Sequence, residues 1–422
     1  MTGAWLLTHL PSAVNMCLSL LQRDKIALTV TAYKYKGTMQ HFRTFYPVGH
    51  GAFFVEKLYT DKHVPYIAVY DCGDSQNGSL VQKYALQAFS KPFEDEDEKI
   101  DLLFISHFDD DHVNGLTHLK PYLTKQTKVF LPFFYNTYID LYNKSKREGI
   151  SYVISVLDDV GIRPILIAYN GENPQDEVDL DKPLPERNYS NLDSPYPVLA
   201  SGTPIKLGSS QIWKYVPYNL FNEAKLFQDF RSKIKSSSHW SDAKLNDPLT
   251  WTDDEIVELR NIYKTFSTYS INSNSLIVLS APSKIEYMWL QSITSDFLQQ
   301  GYLHHCYHHP DPVLASSLYT GDTVLKRGAG GAYKLTYEEF LYRLKKQTKR
   351  VGLMQIPHHG SSNNINKAAL CDCMSCSMFC NYGTSDLSYK TFLLNCFSLS
   401  SIWKDILAVT ELSKTIEISL VS

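Results

Sequence analysis

An excess of basic residues is what this sequence most plainly lacks. Its 422 residues carry 41 Lys and Arg against 44 Asp and Glu, a formal net charge of −3. A dedicated nucleic-acid-binding domain shows a basic face or stripe, so the overall balance excludes a chain built on that plan. It does not exclude a local basic groove, because bulk charge says little about one cleft. A dense cysteine framework is lacking as well. Of the 8 Cys, Cys17, Cys72, Cys306 and Cys396 are scattered, and Cys371, Cys373, Cys376 and Cys380 lie close together. That is not the pattern of a small disulfide-stapled secreted domain, and a reducing, cytoplasmic setting is the simpler expectation. Structural zinc sites pair Cys-x2–4-Cys units across a longer stretch. The clustered four are therefore expected as core packing, since cysteine behaves as a small buried hydrophobe.

Long apolar runs are also scarce. The stretch from Trp5 to Leu21 has no Lys or Arg before it and is broken by Thr8, His9, Pro11, Ser12 and Asn15. A signal peptide needs a basic start, and a membrane span needs about 20 predominantly apolar residues. This stretch is expected as a short amphipathic helix packed on the domain, with no membrane partner. Gly328-Ala329-Gly330-Gly331 lacks the Lys-Ser/Thr end of a phosphate-binding loop, which argues against a nucleotide site. Internal repeats and low-complexity tracts are missing too.

What remains is a globular composition, 44% hydrophobic and 20% charged, with 28 Tyr and 20 Phe. So long a chain can bury a large core. Alternating Val, Thr, Ile and Tyr predict a strand from Lys25 to Tyr35. A strand, a glycine turn at Gly49-His50-Gly51 and another strand follow over Phe42 to Leu58. Tyr66 to Tyr70 and Ile100 to Ser106 read as apolar strands, and Leu80 to Phe89 as a helix. Further on, strands are expected at Val129 to Phe134, Ser275 to Leu279 and Val351 to Ile356. Helices are expected at Tyr138 to Ile150, Asp253 to Phe266 and Tyr337 to Gln347. The order predicts a layered α/β protein. Residues 1–24 read as an N-terminal extension and 25–422 as one domain. Within it, about 120–270 reads as an elaborated insertion and about 285–316 as a histidine-rich loop.

The strongest signal is Ser106-His107-Phe108-Asp109-Asp110-Asp111-His112. Three carboxylates this close repel one another unless a positive charge sits among them. In extended backbone His107, Asp109 and Asp111 point to one side, and Asp111 and His112 to opposite sides. A loop that curls here can present ligands to two neighbouring cations. An acidic helix N-terminus is the plain alternative, but it leaves the flanking histidines unexplained.

The pattern His-x-Asp-x-Asp-His resembles the signature of the metallo-β-lactamase superfamily. With Asp at position 109 it is similar to the ComEC-like branch, named for the hydrolase domain of a DNA-uptake channel protein. Other segments resemble the family in the same order. They are Tyr46-Pro47-Val48-Gly49-His50-Gly51-Ala52, Val69-Tyr70-Asp71-Cys72-Gly73, Asn274-Ser275-Leu276-Ile277-Val278, Thr320-Gly321-Asp322, Pro357-His358-His359-Gly360-Ser361 and, more faintly, Tyr382-Gly383-Thr384. The resemblance implies a four-layer αββα sandwich and a metal-dependent hydrolase. It implies that His107 and Asp109 hold one ion, Asp111 and His112 a second, and that Asp322 bridges both. One histidine of the 358–359 pair completes the second site, with His359 favoured and His358 behind it or facing substrate. A further family histidine has no clear counterpart; His239, His305, His308 and His309 are candidates. Asp71 is expected to tie down a turn rather than to bind metal.

The cofactors expected are two divalent ions, Zn or Mn, since imidazole suits zinc and carboxylates suit harder ions. Such a pair lowers the pKa of a shared water and stabilises charge developing on the attacked group. Asp111 is the expected acceptor of the water's proton. His358, His50 or a histidine of the 305–309 loop would protonate the leaving group. The branch implies phosphodiester hydrolysis of DNA or RNA. Hydrolysis of a small ester, lactam or phosphodiester is a second reading, and a non-catalytic binding module with a structural metal is a third.

Overall fold

A computed structural model describes residues 40–60, 65–90, 97–134, 147–169, 178–179, 194–206, 213–236, 240–245, 250–266, 275–283, 289–294, 316–325, 333–348, 351–361, 364, 377–381, 406–409 and 416–421. The segments expected to hold the N-terminal helix and the 25–35 strand lie outside these residues. So do His239, His305, His308, His309, Cys371, Cys373, Cys376 and the Tyr382-Gly383-Thr384 segment.

The architecture is mixed α/β with two mixed sheets, strands being numbered in chain order. The first sheet runs β12 (Trp289–Thr294), β17 (Ile416–Val421), β1 (Gln40–Phe45), β2 (Ala52–Tyr59), β3 (Tyr66–Gly73), β4 (Leu102–Phe104), β5 (Lys128–Pro132), β6 (Ile165–Ala168) and β8 (Val198–Ala200). The second runs β16 (Ile406–Val409), β15 (Ser377–Asn381), β14 (Leu353–Gln355), β13 (Ser317–Tyr319), β11 (Ile277–Pro282), β10 (Trp213–Tyr218), β9 (Ile205–Lys206) and β7 (Val178–Asp179). The stretch that reads as an insertion therefore supplies β5, β6 and β8 to the first sheet and β7, β9 and β10 to the second.

From β3 to β8 the first sheet is parallel, and parallel neighbours need crossovers. Helix α1 (Ser79–Phe89) joins β3 to β4. Two single turns, α2 (Asp110–Val113) and α3 (Leu116–Leu119), lie between β4 and β5, and α4 (Arg147–Val160) precedes β6. Strand residues alternate between faces. Val69, Leu103, Val129 and Leu131 pack against the helices, together with Val81, Phe89, Leu116, Val153 and Leu157. The residues between them, Ala68, Tyr70, Leu102, Phe104 and Phe130, pack against Trp213, Tyr215, Val278, Tyr319 and Leu353 of the other sheet. A strand buried on both faces reads as an unbroken apolar run, which is why Ile100 to Ser106 shows no alternation. The second sheet turns Val216, Tyr218, Ile277, Leu279 and Leu318 to a third cluster. There they meet Tyr337, Phe340 and Leu344 of the helix Tyr337–Gln347. No described helix is long and apolar enough to cross a membrane.

One charged cluster sits inside the inter-sheet core. Glu56 accepts hydrogen bonds from Arg43 Nε at 2.9 Å, Tyr215 Oη at 2.7 Å and Ser280 Oγ at 2.7 Å, and also from Tyr319. Its Oε2 lies 3.2 Å from His41 Nε2. Burial alone would raise the pKa of Glu56, but the Arg43 charge, with His41, holds it well below the carboxylate range. Burial, and then Arg43, lowers the pKa of His41 to about 4, so its imidazole is neutral. Glu56→Ala would strand the buried Arg43 guanidinium, and breaking one partner of a buried pair costs about 3–5 kcal/mol. Chemical denaturation should show a loss of that size. A loss below about 1 kcal/mol would mean that water reaches the cluster.

Candidate metal centre

The site lies where β3, β4, β13 and β14 end, the carboxyl ends of strands being the usual place for a site in open α/β sheets. The ends are tied across the sheets. Leu276 N donates to Ser106 O at 2.7 Å, and Tyr70 Oη donates to Leu276 O at 2.7 Å.

Asp71, near the end of β3, adopts φ 57°. Its Oδ1 accepts Ser106 N at 2.6 Å, and its Oδ2 accepts Ser106 Oγ at 2.7 Å. Oδ2 also lies 2.8 Å from His112 Nδ1. Because a carboxylate only accepts, Nδ1 of His112 is the donor to Asp71, and Nε2 is turned inward. Ser106 Oγ donates its one hydrogen bond to Asp71, so at 2.9 Å it accepts from His107 Nδ1. His107 Nε2 is thereby turned inward too. Asp71 thus ties a turn, as expected, and also sets the tautomer of one candidate ligand.

The turn that carries Asp111 and His112 lies against two glycines. A Cβ on Gly73 would stand 2.2 Å from Asp111 O and 2.3 Å from His112 N, and one on Gly51 would stand 2.5 Å from Asp111 O. The glycines of the two early motifs therefore allow backbone to meet backbone under the site.

Asp322 follows β13 and is 3% exposed. Its amide donates to Ser275 Oγ at 3.1 Å, and its carbonyl accepts Asn364 Nδ2 at 2.6 Å. Gln355 Oε1 receives the amides of Thr320 and Gly321. Oδ1 of Asp322 lies 3.4 Å from His112 Nε2 and 4.0 Å from His359 Nε2. Oδ2 lies 3.6 Å from His107 Nε2 and 3.5 Å from His358 Nε2. Asp109 Oδ2 is 3.7 Å from His107 Nε2. Asp111 Oδ2 is 3.8 Å from His112 Nε2 and 3.4 Å from His359 Nε2. His50 lies beside His359, ring centres 5.1 Å apart and planes tilted by 34°.

All the residues expected from the motifs thus converge: His107, Asp109, Asp111, His112, Asp322, His358 and His359. Ser106 and Asn364 support them through contacts that no local spacing foretells.

Electrostatics set the terms of occupancy. Burial, then the neighbouring His112, lowers the pKa of His107. Burial opposes charge on His112 also, yet the carboxylates of Asp111, Asp71 and Asp322 raise its pKa well above the ordinary value. Burial would raise the pKa of Asp322, but His112 and His107 hold it well below the carboxylate range. Ionised carboxylates in a buried pocket demand positive charge nearby.

Hydrogen bonds do not account for the inner atoms. Nε2 of His107 and Nε2 of His112 are buried and make none. Their carboxylate neighbours stand at 3.4–3.8 Å, beyond hydrogen-bond length. An ion that holds nitrogen and oxygen donors at about 2.0–2.2 Å keeps adjacent donors roughly 3–3.6 Å apart. The donor atoms of His107, His112 and Asp322 lie within 4.8 Å of one another, and so do those of Asp111, His112 and His359. These groups fit a divalent cation.

Comparison with models of known protein families finds no match. Comparison with curated proteins finds no relative either.

Proposed function

We propose that this chain is a metal-dependent hydrolase of the metallo-β-lactamase fold, acting on phosphodiester bonds of nucleic acid. The three hydrophobic clusters, helices on sheet, sheet on sheet and sheet on helix, support a four-layer αββα sandwich. The observation that carries the reading is Asp322, a buried carboxylate whose two oxygens face separate imidazoles. A carboxylate so placed could serve two cations at once. His107 and Asp109 would hold one ion, Asp111, His112 and His359 the other. When bound, such ions supply Lewis acidity and lower the pKa of a water. The chain's own residues do the rest. Asp71 and Ser106 keep both imidazoles in the ligand tautomer. Asp111, whose side chain is 34% exposed, is the acidic group of the site open enough to meet an incoming substrate. Three aspartates among the donors favour ions that tolerate oxygen, manganese beside zinc, and such ions suit phosphoryl oxygens.

The test is metal analysis of the purified protein with a nuclease assay in Zn²⁺, Mn²⁺ and Mg²⁺. Wild type is expected to hold metal and cut DNA or RNA. Asp109→Ala should lower the cleavage rate on the order of 10²–10³-fold, as losing one electrostatic stabiliser does. Metal without cleavage of any phosphodiester would remove the nuclease reading and leave the metal centre.

A further inference from the structure

His358 and His359 are consecutive, and both have positive φ, 49° and 52°. Left-handed backbone is unfavourable for a non-glycine residue, and two such residues in a row persist only where their surroundings fix them. The result of the strain is visible in where the imidazoles go. His359 Nε2 reaches Asp111 Oδ2 and the Oδ1 side of Asp322. His358 Nε2 reaches Oδ2 of Asp322, the oxygen that also faces His107. One short turn serves both oxygens of the central carboxylate.

His358 is also held as a ligand would be. Its Nδ1 lies 2.7 Å from Asn364 Oδ1. The Asn364 amide nitrogen donates to Asp322 O at 2.6 Å, so its oxygen is the atom that faces the imidazole. An amide oxygen only accepts, so Nδ1 of His358 is the donor in this contact and Nε2 is turned toward Asp322. Asn364 is itself pinned. It is buried, its amide donates to Ser361 O at 2.9 Å, and its carbonyl accepts Leu325 N at 2.6 Å. The arrangement repeats what Asp71 does for His112 and Ser106 for His107. In each case an outer acceptor takes the Nδ1 proton and Nε2 is turned toward Asp322.

Resting on the dinuclear reading above, we infer that His358 is a direct metal ligand on the His107 side of Asp322, and that Asn364 is the positioning residue that keeps it in ligand form. The site then has two matched halves. One is His107, Asp109, His358 and Oδ2 of Asp322; the other is Asp111, His112, His359 and Oδ1 of Asp322. As a ligand, His358 would be removed from the role of leaving-group acid, because its Nε2 would be taken up by the ion.

The experiment is titration of the full-length apoprotein with Co²⁺, following binding calorimetrically and the visible absorption of the bound ion. Wild type is expected to bind two ions per chain. His358→Ala should weaken one of the two and leave the other unchanged. Asn364→Ala should weaken the same ion by about 10–100-fold, the usual effect of losing an outer partner of a ligand. In the double variant, Asn364→Ala should add little to His358→Ala, since it acts through that imidazole. His358→Gln, which keeps the bulk of the side chain, guards against a folding defect and should also lose the one ion. If His358→Ala and His358→Gln bind both ions as tightly as wild type, the inference falls while the hydrolase reading stands. If the Asn364 and His358 effects simply add, Asn364 has a merely structural role and the positioning claim falls. If wild type binds no Co²⁺, Zn²⁺ or Mn²⁺, both fall together.

Discussion

Asp322→Ala is expected to abolish binding of both ions, not one, and to lower kcat/KM for any substrate by at least on the order of 10³. The two carboxylate oxygens of Asp322 divide the four imidazoles between them. Oδ1 stands beside His112 and His359, Oδ2 beside His107 and His358. Loss of this one side chain takes a donor from each half and removes a buried countercharge. Its effect should therefore exceed that of Asp109→Ala, which removes a donor from one half only. Asp322→Asn separates charge from shape. The amide keeps the volume and one acceptor oxygen but cannot serve two cations, so it should retain at most one ion. Mass-spectrometric metal content of the purified variants reads this directly. Full occupancy in Asp322→Ala would disprove the bridging role.

How much of this was legible beforehand varies with the range of the interactions involved. His107 to His112 is readable because its ligands are neighbours in sequence and follow an apolar run that has to be a strand. The helices Asp253–Phe266 and Tyr337–Gln347 have the residue bounds expected from their spacing. The second also carries a capping box, Thr336 with Glu339. Strand β10 was not legible. It is buried on both faces, so it shows no alternation, and Pro217 within it argues against a central strand. Strands β6 and β8 are only a few residues long and stand between polar, proline-rich segments, so the stretch reads as an insertion. Asn364 was beyond any sequence signal. Its importance comes from one hydrogen bond to His358 and one to Asp322, contacts that form only when β13 and β14 lie side by side. The placing of His358 beside His359 was out of reach for a related reason. Spacing cannot reveal that both residues adopt left-handed backbone and reach different oxygens of Asp322.

Gly73→Ala should displace the turn that carries Asp111 and His112. Gly73 ends β3 beside the Asp111-His112 turn, and the added Cβ would lie 2.2 Å from the carbonyl carbon and oxygen of Asp111 and 2.3 Å from His112 N. Real Cβ atoms do not approach backbone so closely, and here no flexible side chain can yield. Either β3 or the turn has to move. β3 is paired on both sides, with β2 and with β4, so the turn is the softer partner. Moving it carries Asp111 and His112 away from Asp322 and His359 and strains the 2.8 Å contact of His112 with Asp71. Misplacement by about 1 Å is enough to cost on the order of 10²-fold in rate. Overpacking of this kind also costs about 1–3 kcal/mol of stability. The expected result is a folded protein with a lowered denaturation midpoint and the Asp111-side ion lost. The Asp109-side ion should be weakened less, because His107 and Asp109 precede the displaced residues. Retention of both ions at wild-type affinity would show that the turn is not held by its glycine floor.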